Sequence, residues 1–399
     1  MFSLLIAVIY LAFISLGLPD SLLGSAWPVM YEELQVPLSF AGVVSMIITC
    51  GTIVSSLSSD FLTKRFGAGL VTAVSVLLTA VALLGFSLSS TFLMLCLFAV
   101  PYGIGAGAVD AALNNYVAVH YSSRHMSWLH CFWGVGVSLS PFIMSSSLTA
   151  GYGWHAGYRT VSIIQFILVA ILFLSLPLWK KDAAVTGDDI AVPRGGIWRA
   201  LRIPGVAGAL WTFFGYCAAE STVGLWASSY LVFARGLPED AAARFASLFY
   251  LGITLGRFLN GFLADRFGDR TMVFSGIGII LCGLGLIALP TGGTATALAG
   301  LICLGLGCAP IYPCLIHATP ANFGRANSQA VIGLQMASAY TGSTLMPPLF
   351  GLIANHISAG WFPAYLLLFA ILMFGMTLWL TKRGIFQRFP QDHKGEAET

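Results

Sequence analysis

Twelve apolar stretches follow one another along this chain, and that succession leaves few folds open. They cover about residues 4–30, 38–61, 68–88, 92–119, 125–149, 157–179, 203–233, 241–264, 271–289, 294–317, 327–355 and 361–381. A stretch of about 20 apolar residues crosses hydrocarbon as a helix, because a helix satisfies its own backbone where no water can. Of the 399 residues, 57% are hydrophobic and 9% charged, whereas a water-soluble domain carries about a quarter charged residues. The runs do not alternate as the roughly ten-residue strands of an outer-membrane barrel do, which excludes that fold. The expectation is an all-α integral membrane protein with twelve transmembrane helices. Met1-Phe2-Ser3-Leu4 lacks the basic start of a secretory leader, so the first stretch reads as a retained helix.

One polar interruption is longer than the others. Lys180–Arg202 contains Asp182, Asp188, Asp189, Pro193 and Arg194, and it divides the chain into two six-helix bundles, 1–179 and 203–382, with a linker at 180–202 and a tail at 383–399. The halves repeat each other. Asp20-Ser21-x-x-Gly24 returns as Glu220-Ser221-x-x-Gly224, Asp60 with Arg65-Phe66-Gly67 as Asp265-Arg266-Phe267-Gly268, and Gly136…Pro141 as Gly342…Pro347. Two pseudo-symmetric halves with a site near the bilayer midplane describe a secondary transporter. Most Lys and Arg residues fall on one side, with only Arg159, Arg235 and Arg244 at the other, which places both termini and the linker in the cytoplasm of a plasma (inner) membrane protein.

The chemistry follows from the few polar groups inside the apolar stretches. Asp20, Asp110 and Glu220 are the acids placed deep in them. A carboxylate there costs at least about 2.5 kcal/mol, so it marks function, and a group that binds and releases a proton between two access states suits it. No lysine lies deep enough to pair these acids. Asn114 follows Asp110 by one helical turn and shares its face; Asn115 is its neighbour. Their amides suit a hydroxylated ligand or, equally, a bond between helices. His130, with Trp128 and Trp133, and more distantly Trp27, Trp226, Tyr312 and Gln335, can line a cavity, although membrane tryptophans also serve as interfacial anchors. A net charge of +3 gives no reason to expect a nucleic-acid partner. The eight cysteines lack metal spacing and read as packing residues, and no phosphate loop or nucleophile motif appears, so neither cofactor, metal nor enzyme activity is expected.

Gly261-Phe262-Leu263-Ala264-Asp265-Arg266-Phe267-Gly268-Asp269-Arg270 resembles the loop motif of the major facilitator superfamily. That resemblance implies a conformational gate on the cytoplasmic side at Asp265, Arg266 and Arg270, joined by Arg257, and a partial copy at Asp60 and Arg65. Gly103 through Tyr116, with Asp110 four positions before Asn114, and Leu129-His130…Gly134-Val135-Gly136 resemble the fucose–proton symporter and sugar permease-like group. Import of a sugar-like solute with a proton, by a monomer, is what this implies. Two other readings stay open: a proton antiporter exporting an apolar or cationic compound, and a receptor or scaffold that has lost transport.

Overall fold

The first apolar stretch folds as two helices, α1 (Leu4–Asp20) and α2 (Leu22–Glu33), interrupted at Ser21. Pro19 is the local cause. It has no N–H to give the carbonyl of Ser15, and its ring crowds that turn. The carbonyl does not go unused: the Gln165 Nε2 amide donates to it at 2.9 Å. Pro141 does the same to Val137, whose carbonyl instead accepts the Ser21 hydroxyl at 2.7 Å. Two prolines thus supply the acceptors that tie neighbouring helices together.

The computed structural model describes residues 4–37, 40–179, 196–237, 239–289 and 293–386. Most of the expected linker and the tail beyond residue 386 lie outside them. After α2 come α3 (Ala41–Phe66), α4 (Ala68–Leu88), α5 (Phe92–His120), α6 (Ser123–Thr149) and α7 (Gly153–Ser175), then a short α8 (Gly196–Leu201). The chain continues through α9 (Val206–Arg235), α10 (Glu239–Phe267), α11 (Asp269–Ala288), α12 (Gly293–Cys308), α13 (Ile311–His317), α14 (Thr319–Phe323), α15 (Arg325–His356) and α16 (Phe362–Lys382). Among the described residues there is no strand. Nine segments are long and apolar enough to cross a membrane among the described residues. The helices α9, α10 and α15, of 30, 29 and 32 residues, are as long but more polar. Together they account for the twelve expected spans. Large apolar side chains such as Phe142, Leu174, Leu97 and Phe258 are exposed, as lipid-facing positions require.

The repeat noticed in the sequence is visible in the backbone. Gly67, between α3 and α4, has φ 80° and ψ 153°; Gly268, between α10 and α11, has φ 79° and ψ 151°. Only glycine enters that region without strain, so each Phe-Gly pair ends one helix and starts the next in a single residue.

The chain forms two compact units. One comprises Met1–Tyr116 and Trp128–Trp198, the other Val117–Ser127 and Arg199–Thr399. The turn between α5 and α6 therefore groups with the second unit, where the sequence division at 180–202 had assigned it to the first. In the first unit the core gathers Leu18, Leu22, Trp27, Phe86, Trp154 and Tyr158. Within it α1 and α6 cross at glycines: a Cβ on Gly17 would strike the Trp133 carbonyl, and one on Gly136 the Ile14 carbonyl.

Candidate functional site

In the first unit, the α1–α2 break leaves Asp20 exposed at the end of α1. Its Oδ2 accepts the Trp133 Nε1–H of α6 at 2.9 Å, and its Oδ1 accepts the Tyr102 hydroxyl of α5 at 3.4 Å. Both donors are neutral. The next residue, Ser21, is pinned to α6 through Val137 and through the Ser140 hydroxyl at 2.6 Å. The carboxylate is therefore held by side-chain donors from α5 and α6, and the residue after it is fixed to α6.

A second acid belongs to a chain of hydrogen bonds. Asn114 Nδ2 donates to the Asp110 Oδ1 at 2.8 Å and to the Asp110 carbonyl at 2.9 Å. Its Oδ1 faces His130 Nε2 at 3.1 Å, so the imidazole carries its proton on that nitrogen. Asn114 is fully buried, His130 nearly so, and Phe13 meets the imidazole edge-on. Asp110 and Asn114, expected on one helix face, are thus joined with His130 in one connected group. Asn115 is buried beside it on α5, Trp27 is part of the core, and Trp128 is half-buried on α6.

The second unit holds Glu220 differently. Arg257 Nη2 reaches the Glu220 Oε1 at 3.3 Å and the Tyr216 hydroxyl at 3.4 Å, and its side chain is only 6% exposed. The sequence placed Arg257 with the Asp265 gate and left Glu220 without a cation. The structure pairs Arg257 with Glu220. The reason is spacing: Arg257 lies two helical turns before Asp265 on α10, and its long side chain extends toward α9. Tyr312 packs against Phe213 and Tyr216 and donates its hydroxyl to Met336 Sδ at 3.0 Å. Gln335 accepts the Thr319 hydroxyl at 3.0 Å, and Trp226 Nε1 donates to the Pro347 carbonyl at 2.8 Å. These three are engaged within the bundle.

At the α5–α6 turn, Asp265 accepts the Arg124 backbone N–H at 3.1 Å and the Ser122 hydroxyl at 3.3 Å, and the Arg124 guanidinium lies 3.3 Å away. Asp269 is buried and takes the Ser123 hydroxyl at 2.6 Å and His317 Nδ1 at 2.6 Å. His317 Nε2 faces the Tyr121 carbonyl at 3.2 Å, which only accepts, so that nitrogen donates. Asn260 adds a bond to the Ser127 hydroxyl at 2.6 Å. Sequence reading missed Ser123, Asn260, Asp269 and His317; the one signal for them was Asp269 directly following the Gly268 turn. Arg266 lies against Phe267, and Arg270 is half-buried at the start of α11. In the first-half copy Asp60 pairs with Lys64 at 2.9 Å, while Arg65 packs over Phe61 and Phe66. Asp60 and Arg65 are not brought together.

The family model described as Major Facilitator Superfamily matches residues 9–327 and 241–396, nearly the whole chain. The chain belongs to the Major Facilitator Superfamily. It is an integral multi-pass membrane protein of a family of transporters. Bypass of stop codon protein 6 of Saccharomyces cerevisiae is 24% identical over 287 residues, 65% of this chain. The chain spans only 56% of that relative's length. The glucose/mannose transporter GlcP of Bacillus subtilis is 22% identical over 363 residues, covering 87% of each chain. Among solved structures, the Major Facilitator Superfamily transporter FucP in the outward conformation superposes with a TM-score of 0.77 at 17% identity, covering 94% of this chain and 98% of that one.

Proposed function

We propose that this superfamily member is a proton-coupled symporter that imports a small hydroxylated, sugar-like solute by alternating access. The observation that carries this reading is the group Asp110–Asn114–His130, a carboxylate that accepts an amide N–H able to turn to a ligand. Both Asn114 N–H interactions run to Asp110. A solute hydroxyl that accepts from Asn114 removes a donor from the carboxylate, and a proton on Asp110 then takes its place. Solute and proton binding support each other in this way, which is the requirement for symport. Asp20, held only by neutral donors, is the second proton site. Glu220, paired with Arg257, is assigned a structural role beside them. The GlcP likeness supports the solute class.

The turn carrying Ser122, Ser123 and Arg124 is the conformational gate in this reading, held by Asp265 and Asp269. Gating at Asp265 follows the motif; Asp60 and Arg65 lack the corresponding bond. The protein is proposed to act as a monomer in the plasma membrane with both termini cytoplasmic. The test is transport in proteoliposomes with an imposed pH gradient. Asp110→Asn is expected to abolish proton-driven accumulation while solute exchange continues; equal loss of both refutes a coupling role for Asp110.

A further inference from the structure

We propose that the cavity beside Asp20, inside the first unit, is a binding site for a compact organic ammonium ion. It is an open cavity of about 280 Å³ lined by Asp20, Tyr102, Tyr158, Phe86, Ser45 and Thr49, with an apolar wall around them. Neither Lys nor Arg lines it. The volume lies just below the usual range of ligand pockets, about 300–1,000 Å³, and suits a molecule of about ten heavy atoms.

Charge and hydrogen bonding together select the class of ligand. Asp20 already takes one bond on each oxygen and keeps lone pairs for more. Tyr102 spends its single proton on Asp20, so toward a ligand its oxygen only accepts. Tyr158 is 1% exposed, and its hydroxyl is buried with no partner. Asp20 is the one charged side chain lining the cavity, and the hydroxyls of Tyr158, Ser45 and Thr49 can both donate and accept. A polyol would satisfy these hydroxyls but would leave the carboxylate charge without a counter-charge, since neither Lys nor Arg lines the cavity. An ammonium group brings donors alone. The rings agree with this choice. Tyr102 and Phe86 stack with centroids 6.3 Å apart, and Tyr158 meets Phe86 edge-on at 5.4 Å. Aromatic faces beside a carboxylate attract a cation and pack the apolar body that carries it.

This goes beyond the symport reading, and binding does not depend on it. The same carboxylate cannot hold an ammonium and a proton at once, so an occupant would also stall proton-driven uptake. The test uses the full chain in detergent at pH 8, with benzylamine as probe and benzyl alcohol and glucose as neutral comparators, read as a concentration-dependent rise in the unfolding midpoint. Benzylamine is expected to stabilise the protein and the neutral compounds to leave it unchanged. Asp20→Asn should weaken benzylamine binding about 10- to 100-fold, the size of a hydrogen bond to a charged group, and Tyr158→Phe about threefold or more. No stabilisation, or equal stabilisation of Asp20→Asn, overturns the proposal. A glucose shift that needs Asp20 also overturns it, and would move the hydroxylated solute into this cavity. If Asp20→Asn does not fold, Tyr102→Phe and Tyr158→Phe decide: undiminished binding in both removes the site. Uptake measured without amine tests the symport reading separately, so either can fail alone.

Discussion

Replacing Gly136 by alanine adds one methyl group where α1 and α6 have no room for it. The new Cβ would overlap the Ile14 carbonyl oxygen and stand 3.0 Å from both the Ile14 carbonyl carbon and the Leu18 nitrogen. These are backbone atoms, which cannot rotate aside. The Ile14 carbonyl oxygen sets the limit: a carbon meets such an oxygen at about 3.3–3.6 Å, so the helices must part by roughly 1 Å or more. Overpacking of this kind costs about 1–3 kcal/mol. The consequence reaches the site because Trp133 lies one turn earlier on α6. Its 2.9 Å bond to Asp20 would lengthen by a similar amount, to the limit of a hydrogen bond or beyond. Thermal unfolding in detergent measures the first effect and proton-driven uptake the second. Gly134→Ala is the control: a Cβ there meets nothing within 4 Å, and alanine favours a helix by about 1 kcal/mol over glycine. Gly136→Ala should melt well below wild type while Gly134→Ala melts at or above it. Equal melting of the two variants, with uptake intact in both, would refute the account of the crossing.

The Glu220–Arg257 pair should show the asymmetry of a buried ion pair. Glu220→Gln alone leaves the buried Arg257 charge uncompensated and is expected to destabilise by about 3–5 kcal/mol, and adding Arg257→Met should recover part of that; independent losses would show that the two residues are not coupled. Asp265→Ala and Asp269→Asn should each loosen the α5–α6 turn, so that a cysteine placed at Ser122 reacts faster with a polar thiol reagent. Unchanged labelling removes the gate assignment.

Much of this was legible in sequence because a membrane helix is specified by length and apolarity alone. The three acids stood out for the same reason: few charges compete for attention in such segments. What could not be read is the partner each acid takes. Asp20 and Trp133 are joined across 113 residues by a glycine crossing, and no periodicity along one helix reveals that. Axial position along α10 points Arg257 to the Asp265 gate, whereas the direction and reach of its side chain decide that it meets Glu220. The Asp110–Asn114 contact, four residues apart on one helix, is the local exception and was visible. His317 and Asp269 lie 48 residues apart on different helices and gave no joint signal. The two proline-freed carbonyls were equally hidden, since a proline announces a broken bond but not the side chain that takes its place.

The grouping of Val117–Ser127 with the second unit bears on how the protein can be divided. A gene split at the polar stretch after Trp179 would encode this turn on one polypeptide and Asn260, Asp265, Asp269 and His317 on the other. The amino-terminal fragment made alone would carry Ser123 and Ser127, both buried in the intact chain, with their partners missing. Such a fragment should be cut by protease at the turn before anywhere else, and co-synthesis with the carboxy-terminal fragment should protect it.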